Sequence, residues 1–432
     1  MVLLLEDKLI NALIKIVKQD SIPALGCTEP ISVALAGAAT REHITGEVEN
    51  IEVIVSKNIF KNGKFVIIPN TNRWGLDLAA ALGILGGNKE KGLMVLSEID
   101  ERIIEDAEML IGNNKIKVEY VENVPDVFVK IIVTTINEQI EVVLKDSHEH
   151  IETVKVDGET IFQNEIEDGN RQACSFLKRL TFRELRDICE NIPIEQLKFI
   201  EIGIEMNSKA AEKGLSWDEG AGIGATLKRL QKRGMISNEA PTEARILTAA
   251  AADIRMGGGN CPIMTSAGSG NQGLGVVLPI VVVAEEEGIE GEKLLRAVFF
   301  AHVINRYVKI YTGKLSAMCG CAIAAGIGAS AGITWLLGGD DSQIEGACQN
   351  MLANLTGMIC DGAKETCSLK LSTSAEEAVI SAYLAMENVI VKPNIGIIGY
   401  TIEDTIRNLG VLCIEGLPYM DSAIIKILEN VQ

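Results

Sequence analysis

Six of the ten cysteines sit beside glycine, serine, threonine, asparagine or proline, where backbone can approach a ligand closely: Cys27, Cys261, Cys319, Cys321, Cys360 and Cys367. Cys174, Cys189, Cys348 and Cys413 lie singly in helical text and read as small buried hydrophobes. Cys360 and Cys367 are separated by six residues, wider than the roughly two to four typical of zinc pairs. That spacing suits a loop wrapped around something larger than one ion. Iron–sulfur clusters take thiolates, and a cluster held by only three protein thiols leaves one iron open as a Lewis acid. Unrelated buried cysteines are the competing explanation. Cys27, in Gly26-Cys27-Thr28-Glu29-Pro30, precedes a helix expected from Ile31 to Ala39. The positive end of a helix dipole lowers a thiol's pKa, so Cys27 is expected as a base, a nucleophile or a further ligand. The run Asn260 to Gly273 is dense in small hydrogen-bonding residues and opens onto an apolar helix at Leu274, a start that suits a carboxylate or phosphate. Ser372 and Thr373, after Cys367, are further donors.

Other signals point away from chemistry. Gly220 to Gly224 follows no strand, which argues against a dinucleotide site. His148 and His150 lie in an acidic segment expected to be solvated, and His302 on a helical face expected to be structural. Four histidines in 432 residues give little support to a Ser–His–Asp hydrolase.

The elements that must position these groups change along the chain. Residues 1 to about 48 read as two helices interrupted by Ser21 to Pro30. Ile51 to Val55 alternates as a strand, and Lys61-Asn62-Gly63-Lys64 reads as a hairpin turn into Phe65 to Ile68. A helix is expected over Leu76 to Leu85, then strands at 116–120, 127–135, 139–144 and 153–156. Beyond about Leu180 the text is helical. The fold class is therefore α+β: an N-terminal mixed α/β domain with antiparallel strands over 1–170, then a mainly helical, Gly/Ala-rich domain over 171–432. Runs such as Ala249 to Ala252, with an aromatic share of 4%, point to closely packed helices. The uncharged stretch Leu315 to Gly339 is long enough for a bilayer but too rich in Gly, Ala and Ser, so a buried helix is expected. With 40 Lys and Arg against 59 Asp and Glu, the net charge of −19 disfavours nucleic acid and anionic membranes as partners. No secretory signal is read at the N-terminus, and a cytoplasmic protein with reduced thiols is expected.

The motifs Gly26 to Pro30, Thr265 to Gly273 (TSAGSGNQG), Lys314 to Cys319 (KLSAMC) and Met358 to Ala375 together resemble the L-cysteine desulfidase family, also called UPF0597 or serine dehydratase subunit alpha-like proteins. Asn58 to Gly63 and Ile68 to Thr71 resemble its N-terminal part. A more distant similarity links the chain to iron–sulfur L-serine dehydratases. The resemblance implies a 4Fe-4S cluster on Cys319, Cys360 and Cys367, with Cys321 competing for the position of Cys319, and no pyridoxal phosphate. It implies elimination of sulfide from L-cysteine, giving pyruvate and ammonia, with Cys27 as the base and Ser266, Ser269, Gly270, Asn271, Ser372 and Thr373 around the substrate. The rivals are the same elimination on L-serine, a non-catalytic metal protein and a pyridoxal-phosphate lyase. A homodimer is the default expectation.

Overall fold

The computed structural model describes residues 2–164, 176–217 and 219–430, so Cys174 lies outside the described residues. A six-stranded mixed sheet in the order β3-β2-β4-β5-β6-β7 occupies the N-terminal part. Strand β2 (Val48–Ser56) runs parallel to β3 (Ile116–Val121). It runs antiparallel to β4 (Phe128–Thr135), which continues antiparallel into β5 (Gln139–Lys145), β6 (Ile151–Val156) and the exposed edge strand β7 (Glu159–Gln163). The parallel β2–β3 pair and the edge strand β7 are the departures from the expected antiparallel set. Alternate residues of β4, among them Val129, Ile131 and Val133, are fully buried, as a sheet with one covered face requires. Each such side chain contributes roughly 1.5–3 kcal/mol relative to exposure.

Two Ala-rich helices, Thr28–Arg41 and Leu76–Gly86, pack closely together on this sheet. A Cβ on Gly83 would lie 2.1 Å from the Ala34 carbonyl oxygen, so the contact is backbone on backbone and admits only glycine. That closeness is what the small-residue composition provides.

Lys57–Gly63 is a helix, contrary to the hairpin turn expected at 61–64. The Ser56 side chain accepts from the Ile59 amide and starts the helix, while Leu76 packs where a Gly63 Cβ would stand. The helix turns Lys61 and Asn62 inward, where both are buried.

From Phe182 the chain is helical, apart from the two-residue strand β8 (Ile263–Met264) and short turns. Ala240–Met256 lies against Phe199–Gly214, Gly270–Glu286 and Cys367–Met386. The two apolar cores cross the chain's midpoint. Leu13 and Val17 of the first helix join Phe299, Ile304 and Leu352, whereas Ala251, Ile254 and Leu274 join the core under the sheet. The long uncharged stretch becomes helical only at Ala324, because Leu315 to Ile323 forms an irregular segment bonded to 358–360. Among the described residues, no helix is long and apolar enough to cross a membrane.

A candidate thiol-lined active site

Backbone pairing brings Cys319 and Cys360 together. Met318 and Ile359 form an isolated antiparallel bridge, with the Cys319 amide donating to the Met358 carbonyl at 2.9 Å and the Cys360 amide to the Ala317 carbonyl at 2.7 Å. Cys367 opens the helix Cys367–Met386, its amide bonded to the Lys364 carbonyl. The loop between the two cysteines is clamped by Asp361, which sits 2.6 Å from both Lys364 and Lys370. Burial opposes ionisation there, but the two lysines hold the Asp361 carboxyl at about 2.

Burial and proximity to one another raise the thiols. Cys319 is pushed well up by its hydrogen bond to Cys321 and by burial. Burial and the neighbouring Cys319 and Cys360 take Cys367 to about 12. Cys360 is raised by burial and by Cys319, with Lys61 opposing. Lys309, buried beside Cys321 and Cys360, is held down by desolvation. The nine described cysteines are all free thiols, and no described group of three or more His, Cys, Asp and Glu is placed to hold a single metal ion.

Cys27 caps the helix Thr28–Arg41 and packs with Val66, Met256 and Cys367. Its thiol donates to Glu29 Oε2 at 2.9 Å, an oxygen that also accepts from the Thr28 hydroxyl at 3.1 Å. Glu29 Oε1 accepts from Asn62 Nδ2 at 2.8 Å, and the Asn62 oxygen accepts from Cys360 Sγ at 3.8 Å. A continuous polar chain thus joins Cys27 to the thiol cluster. The expectation of a lowered Cys27 pKa fails. Burial and the Glu29 charge push the thiol well up, outweighing Arg255 and the helix terminus. Glu29 stays ionised: burial would raise it, but His148, the Cys27 thiol and Asn62 hold it below the usual carboxylate range.

His148 is buried rather than solvated, with Nε2 unpartnered, because Ser32 Oγ donates to its carbonyl at 2.9 Å and ties the segment to the Thr28–Arg41 helix. Burial holds its imidazole down to about 4, against the pull of Glu29. The 265–273 loop passes alongside, Gly268 facing His148 Nδ1. Thr265 fixes this loop to the N-terminal segment: its hydroxyl donates to the Asp20 carbonyl at 2.7 Å and accepts from the Ile22 amide at 3.0 Å, next to the pairing of β1 (Pro23–Ala24) with β8.

The loop residues then divide. Ser266 is engaged from behind by His302 Nδ1 and Asn305 Nδ2, both at 2.8 Å, so His302 is a buried positioning group. Ser269 Oγ lies 3.8 Å from Cys321 Sγ, which ties loop to thiols. Gly270 and Asn271 open the helix Gly270–Glu286 beside Arg255, four residues earlier than Leu274. Ser372 is buried with an unpartnered hydroxyl, whereas Thr373 is exposed and bonds the Leu369 carbonyl, away from the site. An open cavity of about 520 Å³ adjoins the turn after Arg255, lined by Asn70, Lys213, Trp217, Gly258 and Asn260; none of the expected site residues lines it. Glu29, Asn62, His148 and Arg255 were not anticipated. Of these, Glu29 and Asn62 lay within quoted motifs, Gly26 to Pro30 and Asn58 to Gly63, whereas His148 and Arg255 carried no such signal.

Residues 90–426 match the family model described as serine dehydratase alpha chain. A UPF0597 protein of Clostridium botulinum (strain Okra / Type B1) is 51% identical over 424 residues, covering 98% of each chain. A UPF0597 protein of Desulfatibacillum aliphaticivorans is 42% identical over 95% of this chain and 96% of its own. Another, from Clostridioides difficile (strain 630), is 38% identical over 96% and 99%. This points to an enzyme of dehydratase or lyase type. The chain belongs to the serine dehydratase alpha chain family, among its UPF0597 members.

Proposed function

We propose that the protein is an iron–sulfur lyase that cleaves L-cysteine to sulfide, ammonia and pyruvate without redox change. The observation that carries this reading is the chain Cys27–Glu29–Asn62–Cys360, which sets a buried proton-transfer pair against a cluster of free thiols. Cys319, Cys360 and Cys367 would hold a 4Fe-4S cluster, and the mutual elevation of their thiols together with buried Lys309 suits a group that brings positive iron to thiolates. When bound, such a cluster has one iron without a protein thiolate and supplies Lewis-acid chemistry to a departing sulfur. Cys321, hydrogen-bonded to Cys319, is a neighbour rather than a fourth ligand in this reading.

Cys27 takes the Cα proton. Its raised thiol is a strong base once ionised, and because Glu29 is a weak proton acceptor at rest, the Cys27 proton passes to Glu29 across the 2.9 Å contact only in concert with removal of the Cα proton. The Cα–H bond breaks as the Cβ–S bond breaks, leaving aminoacrylate, which tautomerises to an imine and takes up water to give pyruvate and ammonia. Ser266, held by His302 and Asn305, with Ser269 and the first turn of the Gly270–Glu286 helix, orients the amino acid. Activity in the cytoplasm, where thiols stay reduced, without nucleic-acid or membrane partners, belongs to the same reading.

The family description favours a second substrate, L-serine, with hydroxide leaving in place of sulfide. Anaerobically purified protein separates the readings. Iron and acid-labile sulfide near four each per chain are expected, with sulfide released from L-cysteine faster than pyruvate from L-serine. Stoichiometric pyridoxal phosphate without labile sulfide refutes the proposal, and faster turnover of L-serine replaces it with the dehydratase reading.

A further inference from the structure

Arg255 stands at the end of the Ala240–Met256 helix and is 2% exposed, among the largest fully enclosed side chains. Its Nη1 donates to Asn271 Oδ1 at 2.7 Å and contacts Met256 Sδ at 3.3 Å. Both acceptors are neutral. Its Nε is buried without a partner, and among the described residues no carboxylate forms an ion pair with it. Glu29, the buried carboxylate of this site, has its two oxygens taken by Cys27, Thr28 and Asn62. A buried guanidinium left without an anion is strongly unfavourable, and proteins retain one where a ligand brings the anion.

The surroundings indicate where that anion sits. A Cβ on Gly270 would fall 2.4 Å from Arg255 Nε and 2.6 Å from Cζ, so the guanidinium lies directly over the first residue of the Gly270–Glu286 helix. Ser269, at the N-cap, gives no side-chain cap, and the first-turn amides face the same region. In that first turn Gln272 Oε1 is also buried and unpartnered. Two observations therefore converge: an uncapped helix start and an orphaned buried cation aimed at it. Cys27 lies near enough for its thiol to feel the Arg255 charge.

We propose that Arg255, with the first turn of the Gly270–Glu286 helix, is the anchor for the α-carboxylate of the substrate. The inference rests on the reading of this site as one for an amino acid and narrows its substrate class to free α-amino acids. A decarboxylated thiol or a cysteine blocked at its carboxyl group leaves Arg255 unpaired and is rejected.

The test uses L-alanine, which has the carboxylate and ammonium but no leaving group, so that binding is read apart from catalysis. Calorimetry on anaerobically purified wild type, Arg255→Met and Arg255→Lys measures L-alanine against ethylamine, its decarboxylated counterpart. Wild type binds L-alanine and not ethylamine. Arg255→Met weakens L-alanine about 100-fold or more, the scale for removing one partner of a buried charge pair, and Arg255→Lys recovers part of the loss. The thermal midpoint of Arg255→Met stays at or above wild type, since removing an uncompensated charge relieves the fold. The proposal is overturned if wild type binds neither ligand or both equally, if Arg255→Met binds L-alanine like wild type, or if Arg255→Met loses stability. Arginine-dependent L-alanine binding in a protein that releases no sulfide from L-cysteine upholds the carboxylate anchor while refuting the elimination.

Discussion

Replacing Glu29 by glutamine tests the proton-transfer pair directly. Glu29 is the meeting point of three donors: Cys27 and Thr28 on Oε2 and Asn62 on Oε1. Glutamine keeps the shape but replaces one acceptor oxygen with an NH2 group, so at least one buried donor must face another donor. It also removes the charge that receives the Cys27 proton. The first effect costs about 1–3 kcal/mol of stability, the usual penalty for an unsatisfied buried group, and relief from burying a charge offsets part of it. The second is kinetic. A positioned base or its proton acceptor contributes about 10²- to 10⁴-fold, so kcat for sulfide release should fall by that factor, about 3–5 kcal/mol in the barrier. KM should change little, because Glu29 is occupied by protein donors rather than by substrate. Iron content should stay at the wild-type level, since Asn62 alone connects Glu29 to Cys360. The assay is steady-state sulfide release from L-cysteine and from its Cα-deuterated form, normalised to iron. The isotope effect should grow in the variant as proton removal becomes slower. A kcat within about threefold of wild type at equal iron content would refute the assignment of Glu29 and Cys27 as a working pair.

Changing Cys27 to Ala should leave iron bound and abolish turnover, whereas Cys319→Ala, Cys360→Ala and Cys367→Ala should each lose both; iron content of Cys27→Ala is the deciding measurement. Gly270→Ala should weaken amino-acid binding by tenfold or more while the cluster spectrum is kept, because its Cβ would stand 2.4 Å from Arg255 Nε. Thr265→Val removes two hydrogen bonds at the junction of the site loops and should lower denaturant stability by about 1–3 kcal/mol. His302, held at about 4 by burial, is neutral in the fold, so the unfolded chain takes up its proton first as pH falls. The His302 contribution to the stability of the metal-free protein should therefore be lost between about pH 6.5 and 4, by at most about 3 kcal/mol and beside that of His148, and His302→Gln should reduce that slope in pH-dependent melts.

What the sequence made legible follows from local chemistry. Alternation marked Ile51 to Val55 and the strands of 128–156, because one buried face imposes a period of two. The motif cysteines could be singled out by their neighbours, since glycine and serine around Cys319 and Cys360 differ from the apolar helical text around Cys348. The rest depended on contacts that no local pattern encodes. Asn62 read as a turn residue, yet the Ser56 cap makes its segment helical and points it at Glu29. His148 lies beside Glu149, which suggests solvent, but Glu149 accepts from the Leu93 amide and Ser32 holds the His148 carbonyl. Arg255 at a helix C-terminus looks like an ordinary dipole partner; only the absence of a counter-ion among the described residues distinguishes it. The Cys27 pKa was misjudged because burial and a carboxylate at 2.9 Å outweigh a helix terminus.

The staple at Thr265 reaches back 245 residues to Asp20, and Cys360 reaches 298 residues back to Asn62. Contacts of such sequence separation form late, after the loop-closure entropy of the intervening chain has been overcome. During synthesis the Cys27–Glu29 pair leaves the ribosome early, but its partners at 319, 360 and 367 emerge only in the last third of the chain. No nascent fragment shorter than about 370 residues holds both the proton-transfer pair and all three thiols. On the proposed reading, a cluster would then be loaded only after translation, onto a nearly complete chain whose thiols have just met. The site is thereby confined to finished molecules, a form of quality control that comes from the order in which the chain is made.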